Sequence, residues 1–97
     1  MKVIVRRRAA DDLDQLFQWI AKDNPRAAAD MVARIRDRIN TLELTPLAHM
    51  GRLGFVEGTL ELVEYPNIII YRVVDSRREV NIISIVHGAR DPKDRTR

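Results

Sequence analysis

Residues 59–86 read "TLELVEYPNIIIYRVVDSRREVNIISIV", and this stretch decides the fold. Three runs rich in β-branched residues, "TLELVEY", "NIIIYRVV" and "EVNIISIV", are separated by "PN" and "DSRR", turn chemistry that suits consecutive antiparallel hairpins. In the middle run Ile68 and Ile70 share a face with Arg72 and Val74, while Ile69, Tyr71 and Val73 take the other. Both faces are therefore substantially apolar.

Upstream the period changes from two to three and four. Leu13, Leu16, Phe17 and Ile20 form the stripe of an amphipathic helix from about Ala9 to Asp23, with Trp19 off its centre. "DNPRAAAD" (residues 23–30) is a stop followed by a start, with Asn24 as N-cap and Pro25 at the first helical position, where its missing N–H does no harm. Ala28, Val32, Ile35, Ile39 and Leu42 then mark a long second helix, which Thr45 and Pro46 must end. Before both, Lys2 to Val5 alternate as a short first strand, cut off by Arg6, Arg7 and Arg8. "LAHMGRLGFVEGT" (residues 47–59), with three glycines, reads as an irregular connection. The expected class is α+β: strand, two helices, three strands, with the helical hairpin packed on one side of a mostly antiparallel sheet, in one domain over residues 1–97.

One hairpin covers one sheet face. The other, around Ile68 and Ile70 or around Ile69 and Tyr71, is expected to be covered by a partner, and a chain of 97 residues has a thin core that such a partner would reinforce. Seventeen Lys and Arg against fourteen Asp and Glu give a net charge of +3, which favours an acidic partner or nucleic acid. The absence of cysteine excludes a disulfide frame and a Cys-based zinc site. No apolar run has the length of a membrane span or a signal-peptide core, so a soluble, cytoplasmic protein is expected.

The apolar run of the last strand stops at "HGARD", residues 87–91. Ser84 and His87 are three apart on one strand and point to opposite faces, so they make no nucleophile–base pair. His49 and His87 are the only histidines and have no metal-ligand spacing around them, so no metal and no cofactor are expected. "GRLG" (residues 51–54) lacks the Lys and the helix start of a phosphate loop. General acid–base cleavage of RNA needs no compact motif, and Arg52, Glu61, Tyr71, Arg72, His87 and Arg90 could converge for it. Each also has a structural reading. Glu61 alternates with Leu60 and Leu62 as a solvent-side residue, Tyr71 is a good strand residue, and His87 could tie down the strand end. The Arg6–Arg8 triplet reads as a solvated junction, since no aromatic residues interleave with it.

Together, the helical hairpin, "PLAHMGR" (Pro46–Arg52), "GTLEL" (Gly58–Leu62), "IIYRV" (Ile69–Val73) and "IVHGARD" (Ile85–Asp91) resemble the ParE branch of the ParE/RelE toxin superfamily. The likeness spans Val3 to Asp91. It implies the RelE/ParE-like fold and the toxic, plasmid-stabilising half of a type II toxin–antitoxin pair. A ParD-like antitoxin with an amphipathic, acidic segment would wrap it in a hetero-oligomer and contact operator DNA on its behalf. It also implies inhibition of DNA gyrase without catalysis. The RelE branch implies instead a ribosome-dependent mRNA endonuclease. Here the RelE-like arginine position falls on Ile68, and the tail "DPKDRTR" has no tyrosine, which disfavours that chemistry. A chain that has lost toxicity and persists as a structural partner in an antitoxin–operator complex is the third reading. Leu60 stands where many ParE-like sequences carry arginine. The residues expected to meet a partner are Trp19, Arg52, Glu61, Ile69, Tyr71, Arg72, His87 and Arg90.

Overall fold

In the computed structural model, residues 1–88 are described. The elements run β1 (Lys2–Val5), α1 (Arg7–Ala21), α2 (Pro25–Thr41), β2 (Arg52–Leu53), β3 (Leu60–Glu64), β4 (Asn67–Val74) and β5 (Glu79–His87), with single 3₁₀ turns at Thr45–Leu47 and Asp75–Arg77. They form one sheet of order β1-β5-β4-β3-β2, in which only β1 and β5 are parallel. The helical hairpin lies on one face, as its apolar stripes require.

The cap of α2 is as expected: Asn24 Oδ1 accepts the Ala27 N–H at 3.0 Å, and Pro25 opens the helix. The helix ends at Thr41, four residues before the Thr45–Pro46 stop. Leu42, Glu43 and Leu44 bond back to Ile39, Asn40 and Thr41, so the coil has already tightened to i→i+3 turns before Pro46 arrives. In α1, Ala9 and Leu13 are buried and Leu16 is half-buried, but Phe17 is exposed, contrary to its place in the expected stripe. At 100° per residue, Phe17 and Trp19 fall on opposite flanks of the Ala9–Leu13–Leu16–Ile20 line.

The connection read as irregular holds a strand. β2 pairs Arg52 with Glu61 and Leu53 with Leu60. Two residues between Gly51 and Gly54 carry no detectable period, which is why the sequence hides it. Gly51 is required by close approach: a Cβ there would stand 2.7 Å from the Tyr71 hydroxyl, which instead receives the Gly51 N–H at 3.0 Å.

The main core joins Leu13, Ile35, Ile39 and Leu42 of the hairpin region to Ile69, Tyr71 and Ile82 of the sheet. On the far face Ile68, Ile70 and Val86 form a second cluster with Ile83 against it. A bulge between Ile70 and Tyr71 in the β4–β5 ladder, where Ser84 and Ile82 are their partners, leaves Ile83 as the extra residue. The expectation of an open apolar face here is corrected, since Ile68 and Ile70 are only 4% and 3% exposed. Part of their cover is the chain itself: Gly88, held by its N–H to the Pro66 carbonyl at 2.7 Å, lies beside Ile68.

Candidate functional site

The expected partner-binding residues separate into three places. Arg52, Glu61 and Arg72 stand together on the far face of the sheet. Trp19 and His87 flank a groove on the helix side. Ile69 and Tyr71 lie in the core with no exposed surface, which corrects their expected role as contact residues: they sit on the face that the helical hairpin covers. Arg90 lies outside the described residues.

Glu61 is 3% exposed, and so is not the solvent-side residue that its alternation implied. Its Oε1 meets Arg52 Nη2 at 3.3 Å and its Oε2 accepts the Phe55 N–H at 3.2 Å. The neighbouring Arg72 donates from Nη1 to the Glu57 carbonyl at 3.3 Å. Gly58, at φ +81°, turns the chain just after the second of these anchors and feeds it into β3. These side chains therefore fasten the loop of residues 54–59 onto the sheet. The buried carboxylate is stabilised by a cation and a backbone donor, as a charge out of water must be. Tyr71 is occupied in the same way on the opposite face. Burial pushes its phenol above the ordinary value, the Gly51 N–H opposes that shift, and the hydroxyl stays protonated at neutral pH.

The groove encloses about 590 Å³ between α1 and the last residues of β5. Asp12, Leu16 and Trp19, at i, i+4 and i+7, present one side of α1 to it. Asn67 and His87, opposite each other in the β4–β5 ladder, form its floor. Asp12 Oδ2 accepts the Ile85 N–H at 2.9 Å, which joins the helix to the strand. Trp19 is 71% exposed, with Lys22 Nζ 5.6 Å from its ring centroid, a cation–π distance. Asn67 is 3% exposed, and its Nδ2 has no hydrogen-bond partner among the described residues. The sequence reading passed over Asp12 and Asn67. The i, i+4, i+7 spacing to Trp19 was a usable signal for Asp12, whereas nothing local marks Asn67. Among the described residues no group of three or more His, Cys, Asp or Glu could hold a metal, and no helix is long and apolar enough to cross a membrane.

The family model described as the ParE toxin of the type II toxin–antitoxin system parDE matches residues 3–92. The chain belongs to the ParE toxin family. A protein of Sinorhizobium fredii named "Putative toxin Y4kP" is 40% identical over 83 residues, which cover 84% of this chain and 81% of that protein. Among solved structures, a chain of the chromosomal ParDE system of P. aeruginosa superposes with a TM-score of 0.76 at 26% identity, covering 90% of this chain and 95% of that one. A chain of the RelBE2 toxin–antitoxin complex of Mycobacterium tuberculosis follows, with a TM-score of 0.61 at 25% identity over 89% and 95% of the two chains. ParE membership and these neighbours agree with the α+β architecture, and make this chain a toxin of a type II toxin–antitoxin system.

Proposed function

We propose that this ParE-family toxin acts in the cytoplasm by inhibiting DNA gyrase and so blocking replication, without catalysing a reaction itself, and that a cognate ParD-like antitoxin neutralises it. The observation that carries the reading is the ParE family match over nearly the whole chain. The placement of its polar side chains adds support. Arg72 and His87 face Asn81 and Asn67 in the β4–β5 ladder, so five residue steps along β4 separate them, roughly 17 Å. Glu61 and Tyr71 are committed to loop anchoring on opposite faces of the sheet. Acid–base cleavage needs its groups within hydrogen-bond reach of one scissile site, and these are spread over both faces and both ends.

Purified gyrase, ATP, relaxed plasmid and micromolar toxin provide the assay. Supercoiling should fall, with trapped cleaved DNA, and antitoxin added first should restore it. Undisturbed supercoiling without cleaved product removes gyrase from the account. The similarity to a RelBE2 chain keeps mRNA cleavage as the competing reading. Primer extension on transcripts after induction separates the two, because codon-register cuts that disappear in His87→Ala would overturn the non-catalytic one.

A further inference from the structure

We infer that β2 and the loop of residues 54–59 are the surface with which this chain engages its target, Leu53 and Phe55 entering an apolar cleft of the topoisomerase whose rim is acidic. This rests on the gyrase reading above and gives the target a place on the fold. Exposure, rigidity and charge each point there.

Leu53 is 87% and Phe55 55% exposed, two residues apart at the end strand of the sheet, and Met50, also exposed, precedes them on the same segment. Folding gains nothing from large apolar side chains gathered in water, whereas such a group rimmed by polar residues marks an interaction surface. The backbone beneath them is nevertheless fixed at several points. Gly54 N–H donates to the Thr59 carbonyl at 2.9 Å, and Thr59 N–H donates to the Val56 carbonyl at 3.1 Å. The Phe55 N–H is held by Glu61 and the Glu57 carbonyl by Arg72. A carboxylate buried under a loop costs desolvation that its ion pair barely repays. What it secures here is the position of Phe55, and an anchor already in place loses little freedom when it binds.

Charge selects the occupant. Arg52, next to Leu53, is paired with Glu61 yet keeps a 58%-exposed side chain, and the whole chain carries +3, so acidic groups around the cleft are favoured. A second copy fits poorly. β2 offers only Arg52 and Leu53 for pairing, and two copies joined there about a two-fold axis would crowd both Arg52 side chains into one short contact. The surface is also separate from the groove beside α1, because β2 stands three strand spacings from β5, about 14 Å.

The test is titration of the full chain and its variants into the gyrase supercoiling assay, with melting curves of each free chain. Phe55→Ala and Leu53→Ser should each raise the concentration for half inhibition at least about tenfold and leave the melting temperature unchanged. Leu53→Asp should be weaker than Leu53→Lys, since an added acid would meet the acidic rim; a folding defect would not order the two by sign. Gln18→Ala, at an exposed position of α1, should inhibit as the unmodified chain does. Full inhibition by Phe55→Ala and Leu53→Ser puts the target contact elsewhere and overturns the loop assignment alone. Equal losses for Leu53→Asp and Leu53→Lys overturn the acidic rim. No inhibition by the unmodified chain overturns the gyrase reading and, with it, the named target. Self-association that Leu53→Ser abolishes would assign the loop to a second copy and so also overturns the inference.

Discussion

The two polar regions of this toxin differ in what their hydrogen bonds accomplish. On the far face of the sheet, Glu61, Arg52 and Arg72 answer one another or the backbone of residues 54–59, and a loop is held in place. In the groove, Asp12 answers the backbone but Asn67 Nδ2 answers nothing among the described residues, and a tryptophan lies largely in solvent beside it. A satisfied buried polar group signals architecture. An unsatisfied one, such as the Asn67 amide, is a cost that the rest of the fold offsets.

Substitutions that test this contrast should rank as follows. The largest loss is expected from Glu61→Ala, about 2 kcal/mol of unfolding free energy in urea, because it removes the acceptor that holds the Phe55 amide and the anion opposite Arg52. Arg52 is itself more than half exposed, so Arg52→Ala should cost less than half as much. Asp12→Ala should cost about 1 kcal/mol by stranding the Ile85 amide, and Asp12→Asn, which keeps a carbonyl acceptor, should recover most of it. Asn67→Ala should lie within about 1 kcal/mol of zero, since the volume lost is offset by removal of an unpaired donor. A loss as large as that of Glu61→Ala would erase the distinction between the two regions.

Tyr71 gives the smallest and most conditional effect. Its folded pKa is raised, so above pH 10 the unfolded phenol gives up its proton while the folded one keeps it, and stability falls as pH rises through that window. Tyr71→Phe removes this titration together with the bond to Gly51. The variant should be less stable than the unmodified chain at pH 7, and the gap should narrow beyond pH 10 in parallel melts.

Much of this architecture is legible in the amino-acid sequence. The Asn24–Pro25 helix start, the alternation of Ile68 to Val73 and the turn at "DSRR" are local signals that hold, while the turn expected at "PN" falls one residue earlier, on Tyr65 and Pro66, with Asn67 already in β4. β2 was hidden because its pairing partner, β3, lies several residues farther along the chain and its own two residues set no period. Glu61 was misread because alternation reports which face a side chain takes and says nothing of a loop that folds over that face. Ile68 and Ile70 are buried instead within the cluster they make with Val86 and Ile83 and under the chain at Gly88, which alternation does not report either. Trp19 was legible as a residue off the buried stripe, whereas the unpaired amide of Asn67 is a property of distant elements brought together and has no trace in sequence.

The parallel pairing of β1 with β5 has a kinetic consequence. A chain emerging from the ribosome N-terminus first carries Lys2–Val5 without its only sheet neighbour until Glu79–Ile82 has been synthesised. The β3–β4–β5 meander can form from contacts near in sequence, but closing β1 onto it joins segments more than seventy residues apart, the slowest kind of contact to make. The sheet therefore closes only once Glu79–Ile82 has left the ribosome, and a nascent fragment lacking β5 leaves β1 without the strand it pairs with.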